Sequence, residues 1–332
     1  MTAPSSTSSS RAPDAPWRAI WLATAIVLLA AVIVCEVALR GLGFSPSVRD
    51  TATVWSFERR RATSEDALVL LGDSRMQLGV DPAVLSEQLG RPVIQLSINS
   101  ANPMPILEDL AQDEGFTGEV WVSTRAENLF GRPWGAAEEY VAKYEDSGDN
   151  PNVVVNTGSA IWLDAHLAVR NAAAAVRQIL GAGQSTSYIV MRPDRYRPAD
   201  YSIVDVDRHR TRVVARTRER YEYPQTARPT TEAFDDSLAV LDDRIRRIQS
   251  RNGKVVLIRM PTGPTLWALS DSVFPRDRYW DRMVERTAAT GVNFRDHAAL
   301  SSWVLPDESH LDQRDGAAFS TALANVVIEA TR

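Results

Sequence analysis

A serine, an aspartate and a histidine stand at positions in the chain where they could act together as a nucleophile and its base. Ser74 follows an apolar run, residues 67–71, through Gly72, which permits a sharp turn. A short apolar run that ends in a turn is typical of a buried parallel strand. The carboxyl edge of a parallel sheet is where ligands bind, so Ser74 could present its hydroxyl and a backbone N–H to a substrate. An ordinary turn built from Gly, Asp and Ser is the alternative interpretation.

A nucleophilic serine needs a base, and the chain has only four histidines. His166 falls within a predicted helix at residues 159–180, and His209 falls within an arginine-rich segment, so neither is expected at the carboxyl edge of the sheet. His297 follows the last predicted strand. His310 has Asp307 three residues before it, and in an Asp-x-x-His turn the carboxylate can accept from Nδ1 while Nε2 faces the serine. We therefore choose His310 as the base and Asp307 as its partner.

The elements that must position these residues are predicted strands and helices that alternate along the chain, as in a parallel α/β sheet. Because the serine follows the first strand and the histidine lies between the last strand and the last helix, both are expected at the carboxyl edge of the sheet. A long loop is predicted to begin at Pro261, at the same edge. Strands are predicted at residues 67–71, 92–96, 119–123, 254–260 and 292–295, and helices at 82–89, 103–111, 238–248, 276–289 and 317–330.

The amino-terminal part of the chain indicates a membrane anchor. Residues 1–16 are rich in Ser, Thr, Ala and Pro and are predicted to be a disordered tail. Residues 17–39 reach about the 20 apolar residues that a bilayer requires, which favours an uncleaved transmembrane helix over a cleaved signal peptide or lipoprotein signal. Residues 40–66 are predicted to be a juxtamembrane connector whose run Arg59 to Arg61 meets lipid headgroups. A short tail inside and a long domain outside is the default orientation, so the domain at 67–332 is expected on the extracytoplasmic side.

The central segment, at about residues 132–235, interrupts the α/β rhythm and is predicted to be an insertion. It carries nine arginines between Arg192 and Arg220 against five acidic residues. Such a stretch could bind an anionic polymer or a lipid headgroup, but a solvated surface is the favoured interpretation because runs of charge are usually exposed.

Composition narrows the class of protein. The formal net charge of -5 argues against a nucleic-acid binder, for which a basic face is expected. Cys35 is the only cysteine, so an intrachain disulfide and a zinc site based on cysteines are excluded. No spacing of ligand residues indicates a metal site, and no cofactor is predicted.

The chain resembles the SGNH or GDSL-type hydrolases. Gly72-Asp73-Ser74 is similar to the first sequence block of that family, and the segment from Asp307 to His310 is similar to its Asp-x-x-His block. The resemblance implies a three-layer α/β/α fold with a parallel, flavodoxin-like sheet. It also implies an oxyanion hole formed by the N–H of Ser74, a glycine N–H and an asparagine side chain. The glycine position is occupied here by Ser100. Asn128 is the asparagine expected from the loop after the third strand, with Asn99 and Asn102 as alternatives.

Two functions follow as expectations from this resemblance. The first is a membrane-anchored serine esterase or O-acyltransferase that acts on acyl esters, with those of cell-envelope glycans as the expected substrates. In it Ser74 is the nucleophile, His310 the base and Asp307 its orienting group. The second is a noncatalytic SGNH-like binding or scaffolding subunit with protein partners in an envelope-assembly complex. The departures from the family pattern at Ser100 and Asn128 motivate the second.

Overall fold

A five-stranded parallel sheet forms the centre of this structure, a computed structural model that describes residues 16–63, 66–130, 135–147, 150–173, 176, 180, 188–222 and 229–332. The strand order is β2-β1-β3-β4-β5, and every neighbouring pair is parallel. This confirms the predicted α/β class. The strands are β1 (Leu68–Leu71), β2 (Val93–Gln95), β3 (Glu119–Ser123), β4 (Lys254–Arg259) and β5 (Thr290–Asn293).

Helices connect the strands and cover both faces of the sheet. Local signals define many of their ends: Asp81 accepts a hydrogen bond from the Ala83 backbone N–H at 3.0 Å, Pro82 occupies the first turn, and Gly90 ends the helix with φ 66°. The α-helices in the described part of the chain are α1 (Trp17–Gly41), α2 (Ala52–Arg61), α3 (Ser74–Gly79), α4 (Pro82–Leu89), α5 (Met104–Gln112), α6 (Ala137–Ser147), α7 (Pro151–His166), α8 (Val206–Glu222), α9 (Thr231–Gln249), α10 (Pro264–Val273), α11 (Arg282–Glu285), α12 (Ala298–Ser301) and α13 (Gly316–Ala330).

The sheet separates two hydrophobic cores because successive side chains of a strand point to opposite faces. All four side chains of β1 are buried. Val69 and Leu71 pack in one core with residues of α2, α5 and α9. Leu68 and Leu70 pack in the other with residues of α3, α4 and α13. The apolar run that precedes Ser74 is therefore held on both sides, which fixes the position of the turn that follows it.

Helix α1 is long and apolar enough to cross a membrane. It has 25 residues, and its most apolar window has a mean hydropathy of 2.7. Its end contacts the folded domain: Glu36 accepts hydrogen bonds from the backbone N–H groups of Ala168 and Val169, both at 2.9 Å, and Arg40 donates to the carbonyl of His166 at 2.9 Å. The predicted disordered tail at 1–16 lies outside the described residues except for Pro16.

The segment at 40–66 is not a simple connector, because α2 is built into the domain. Trp55 and Arg59 are completely buried there. Arg59 forms ion pairs with Asp109 at 2.6 Å and Asp113 at 2.8 Å. The prediction that Arg59 meets lipid headgroups is therefore wrong: it is bound instead by Asp109 of α5 and by Asp113, directly after that helix.

The central segment also packs more closely on the domain than an insertion with a solvated surface would. Arg195 is completely buried; it donates to the Gln95 carbonyl at 2.9 Å and pairs with Asp50 at 2.6 Å. The carboxyl end of the predicted insertion at 235 falls inside α9, so that boundary is wrong. The predicted helix at 159–180 is also wrong in its bounds, since α7 ends at His166 and residues 168–171 form a 3₁₀ turn; residues 174–175 and 177–179 of that prediction lie outside the described residues.

Candidate active site

Ser74 is the first residue of α3, directly after the turn that ends β1. The side chain of Asp73 caps this helix by accepting a hydrogen bond from the Arg75 backbone N–H at 3.0 Å. Gly72 is required by space: a Cβ at this position would lie 2.7 Å from Cβ of Ser123 and 2.8 Å from Cβ of Met76. The turn therefore brings the Ser74 hydroxyl to the carboxyl edge of the sheet.

The side chains of Ser74, His310 and Asp307 form one continuous hydrogen-bonded chain. Nε2 of His310 lies 2.7 Å from Oγ of Ser74, and Nδ1 of His310 lies 2.8 Å from Oδ2 of Asp307. A histidine held between a carboxylate and a hydroxyl can remove the hydroxyl proton as the oxygen attacks an electrophile. The structure thus brings together the three residues selected from the sequence, in the order that the predicted chemistry requires.

Asp307 is held by more hydrogen bonds than the sequence predicts. It is completely buried, and its Oδ1 accepts from the backbone N–H groups of Ser309 at 2.9 Å and His310 at 2.7 Å. Its Oδ2 accepts from the Tyr201 hydroxyl at 2.7 Å in addition to the contact with His310. Burial by itself would raise the pKa of Asp307, but the hydrogen bonds and the charge of His310 outweigh it and hold that pKa well below its usual range. The carboxylate is therefore ionised at neutral pH.

The loop that carries His310 is fixed to the start of α10. The Glu308 carboxylate accepts from the backbone N–H of Thr265 at 2.8 Å, and the Glu308 carbonyl accepts from that of Gly263 at 2.8 Å. Carboxylates are favoured at the amino end of a helix. The predicted long loop after Pro261 is thus mostly helix, and this helix braces the histidine loop.

His209 lies at the site, contrary to the prediction that placed it away from the edge of the sheet. Its Nε2 is 3.6 Å from Oδ2 of Asp307 and 3.3 Å from the hydroxyl of Tyr188. Burial lowers the pKa of His209, with contributions from the positive charges of His310, Arg212 and Arg216, and these together outweigh the effect of Asp307. The arginine-rich segment packs against the site. The sequence did not indicate this, because His209 and Tyr201 are far from the other site residues along the chain.

The backbone N–H groups of Ser74 and Ser100 are the candidates for the predicted oxyanion hole. Ser100 has φ 57°, a left-handed backbone conformation that glycine adopts most readily, and this is the position where the resemblance predicts a glycine. Within the described residues, neither the Ser74 N–H nor the Ser100 N–H donates a hydrogen bond. Both residues line one cavity of about 410 Å³, together with Asn99.

Asn128 does not line this cavity, so its prediction as an oxyanion donor does not agree with the structure. Its Oδ1 accepts from the Arg125 backbone N–H at 2.8 Å, and its Nδ2 faces Oδ1 of Asn102 at 3.5 Å. Asn102 is engaged there too, since it donates to the Asn128 carbonyl at 2.9 Å. These two amides stabilise the loop after β3 and border a separate cavity. Of the three asparagines considered, Asn99 alone shares the cavity with Ser74.

A cluster of buried charges beneath Ser74 was missed by the sequence analysis. Arg125 pairs with Asp73 at 3.2 Å and with Glu127 at 3.1 Å, and the Tyr221 hydroxyl donates to Glu127 at 2.8 Å. Arg259, at the end of β4, donates to the Ser270 hydroxyl at 3.1 Å; burial, with the nearby positive charge of Arg125, lowers its pKa to about 10. The sequence signal that could have identified this cluster is the position of its charged residues, directly after or at the end of β3 and β4, where the site lies.

Comparison with known proteins gives no family for the chain. No model of a known protein family matches the sequence, and no curated protein matches it significantly. Among the described residues, no group of three or more His, Cys, Asp and Glu side chains could hold a metal ion. The functional argument therefore depends on the geometry of the site.

Proposed function

We propose that this protein is a membrane-anchored SGNH-type serine esterase or O-acyltransferase. The observation that carries the proposal is the 2.7 Å contact between Oγ of Ser74 and Nε2 of His310, with Asp307 bound to the other ring nitrogen at 2.8 Å. The strand order β2-β1-β3-β4-β5 supports it as well, because this is the doubly wound order in which sites form at the carboxyl ends of the strands.

In the first half of the reaction, Oγ of Ser74 attacks the carbonyl carbon of an ester while Nε2 of His310 takes the hydroxyl proton. The N–H groups of Ser74 and Ser100 stabilise the negative oxygen of the tetrahedral intermediate. When the intermediate collapses, the alcohol leaves with the proton from His310, and the acyl group stays on Ser74. Asp307 keeps His310 in the required tautomer and stabilises its charged form.

In the second half, a water molecule or a sugar hydroxyl attacks the acyl group. His310 takes the proton of the attacking group and returns it to Oγ of Ser74. Water gives hydrolysis, and a sugar hydroxyl gives acyl transfer. In this proposal the site lies on the extracytoplasmic side of a membrane, which is the default orientation for an amino-terminal anchor, and esters of cell-envelope glycans are the expected substrates.

The displacement of Asn128 from the site favours one second candidate, a noncatalytic scaffolding subunit that binds envelope-assembly proteins. Removal of one oxyanion donor costs an enzyme about 10²–10³ in kcat. In a scaffold, the Ser74 hydroxyl would carry no reactivity toward esters, so the two candidates differ in one measurable property.

The test uses the full-length protein in detergent micelles with an aryl acetate. We expect turnover above the chemical background, and we expect Ser74→Ala to lower kcat by at least about 1,000-fold because the nucleophile is lost. Ser301→Ala is the matched control, since Ser301 is exposed on α12 and should leave kcat unchanged. An added sugar acceptor separates the two reactions: acetylated sugar indicates transfer, and acetate indicates hydrolysis. Equal turnover by Ser74→Ala and the parent would refute the proposal.

A further inference from the structure

One face of α8 forms a wall of the cavity that contains Ser74. The residues of α8 that line the cavity recur every three or four positions, which is the spacing of one helical face. They are His209, Arg212, Val213, Arg216, Thr217 and Arg220, with Tyr221 at the end. The helix that carries most of the arginine-rich segment is thus part of the candidate active site.

Arg212 and Arg216 are exposed to solvent and have no hydrogen bond or ion pair with any other residue that the structure describes. Other arginines of the same segment are engaged by the protein: Arg192 pairs with Asp81 at 2.8 Å, and Arg197 pairs with Asp50 at 3.3 Å. Arg212 and Arg216 therefore differ from the arginines that ion pairs hold on the domain, and their guanidinium groups can bind a ligand in the cavity.

The floor of the same cavity offers a further cationic group. Nε of Arg75 is buried without a hydrogen-bond partner among the described residues, and the nearest carboxylate oxygen to its guanidinium, Oδ2 of Asp73, is 3.8 Å from Nη1. Arg75 directly follows the nucleophile in sequence. A buried N–H without an acceptor is costly, and an anionic ligand atom would relieve that cost.

Arginine is concentrated at this cavity although the protein is acidic as a whole. Six arginines line the cavity against two carboxylates, those of Asp73 and Asp307. The formal net charge of the chain is -5, so the arginines do not reflect a basic composition. A cleft lined by charges of one sign raises the local concentration of ligands of the opposite sign.

We propose that the substrate of this site carries a negatively charged group, a carboxylate or a phosphate, close to its ester, and that Arg212 and Arg216 bind this group. The inference rests on the proposed esterase or acyltransferase function. The planar guanidinium group presents paired N–H donors that match the oxygens of either anion. A neutral sugar or lipid ester would leave both arginines without a partner in the complex.

The experiment compares three aryl acetates with the full-length protein in nonionic detergent. They are 4-acetoxybenzoate, 4-acetoxyphenyl phosphate and the neutral 4-acetoxybenzamide. The test variant is Arg212→Gln with Arg216→Gln. The matched control is Arg208→Gln with Arg218→Gln, which removes the same charge from the same helix at residues that do not line the cavity.

We expect the double test variant to lower kcat/KM about tenfold for at least one anionic ester and to leave that of the neutral ester within about twofold. The control variant should leave kcat/KM unchanged for both the anionic and the neutral esters. A lower kcat/KM for the carboxylate ester alone identifies a carboxylate as the group that the two arginines bind. A lower kcat/KM for the phosphate ester alone identifies a phosphate. If neutral and anionic esters respond equally to the test variant, the inference is overturned while the proposed function stands.

A binding measurement separates the inference from catalysis. In a Ser74→Ala background the three esters are bound without turnover, so their dissociation constants can be measured directly. Tighter binding of an anionic ester that is lost with Arg212→Gln and Arg216→Gln supports the inference even if no ester is ever turned over. Equal binding of all three esters contradicts it, whatever the activity of Ser74.

Discussion

The hydrogen bond from Tyr201 to Asp307 should stabilise the fold in a pH-dependent way, and Tyr201→Phe removes it without changing the ring. Tyr201 is 3% exposed, and its hydroxyl donates to Oδ2 of the fully buried Asp307 at 2.7 Å. A hydrogen bond to a charged group contributes about 1.5–3 kcal/mol. Three donors remain on Asp307 in the variant, so we expect the free energy of unfolding to fall by about 2 kcal/mol at pH 7. That loss corresponds to a decrease in Tm of about 4–8 °C.

The pH dependence of this difference has a definite sign. The pKa of Asp307 in the folded protein is lowered below its usual value, so the carboxylate stabilises the fold above the unfolded pKa of about 3.9. This contribution is lost as the pH falls through the folded pKa. Without the Tyr201 hydroxyl the pKa of Asp307 is lowered less, so the variant has less stability to lose. The unfolded pKa is the same in both proteins, so the gap between parent and variant should be constant at neutral and mildly acidic pH and should shrink only as the pH falls through the lowered folded pKa values of Asp307.

Thermal unfolding of the full-length protein, followed by circular dichroism in detergent at pH 7 and at pH 5, measures the size of the gap and its constancy over this range. Tyr188→Phe is the matched control, because the Tyr188 hydroxyl faces Nε2 of His209 at 3.3 Å instead of Asp307. The control should lower Tm less than Tyr201→Phe at pH 7. Equal Tm values for the parent and Tyr201→Phe at pH 7, or a gap that disappears at pH 5, would refute the reasoning.

Two further substitutions test the backbone of the site and the packing of α2. Ser100→Gly should raise the free energy of unfolding by about 0.5–1 kcal/mol, because Ser100 has φ 57°, which glycine adopts without strain. It should keep kcat within about twofold if only the backbone N–H of this residue takes part in catalysis. A tenfold loss of kcat would show that the Ser100 hydroxyl is needed. Arg59→Met should lower the free energy of unfolding by about 3–5 kcal/mol, because it leaves the buried Asp109 without its partner. Arg247→Met, at an exposed ion pair with Asp243, is the control and should have little effect. Similar losses of Tm for the two variants would contradict this account of α2.

Features set by local sequence were predicted well. The run at 67–71 becomes β1 with a shift of one residue at its start, and residues 119–123 form β3 as predicted. The helix that follows Asp81 begins and ends where its capping residues indicate. These elements depend on neighbours in sequence, through apolar periodicity, proline in the first turn and glycine after the last. The same signals bring Ser74 and His310 to one edge of the sheet.

Features set by distant contacts were not predicted. Tyr201 and His209 reach Asp307 from a segment separated from it by about a hundred residues of sequence, and nothing in their local pattern indicates this contact. Arg59 and Arg195 are charged residues that the sequence indicates as exposed, yet ion pairs with distant carboxylates allow their burial. Asn128 caps the turn after β3 through its hydrogen bond from the Arg125 backbone N–H. Its position in a loop does not show whether an asparagine has this role or a catalytic one.

The central claim is that Ser74 is an activated nucleophile, and covalent labelling tests it most directly. The full-length protein is incubated with a fluorophosphonate, whose phosphorus forms a bond to an activated serine oxygen as fluoride leaves, and the modified residue is identified by mass spectrometry of its peptides. The account predicts labelling at Ser74 that is lost in His310→Ala, because His310 removes the hydroxyl proton. An unlabelled Ser74, or labelling that persists unchanged in His310→Ala, would contradict it.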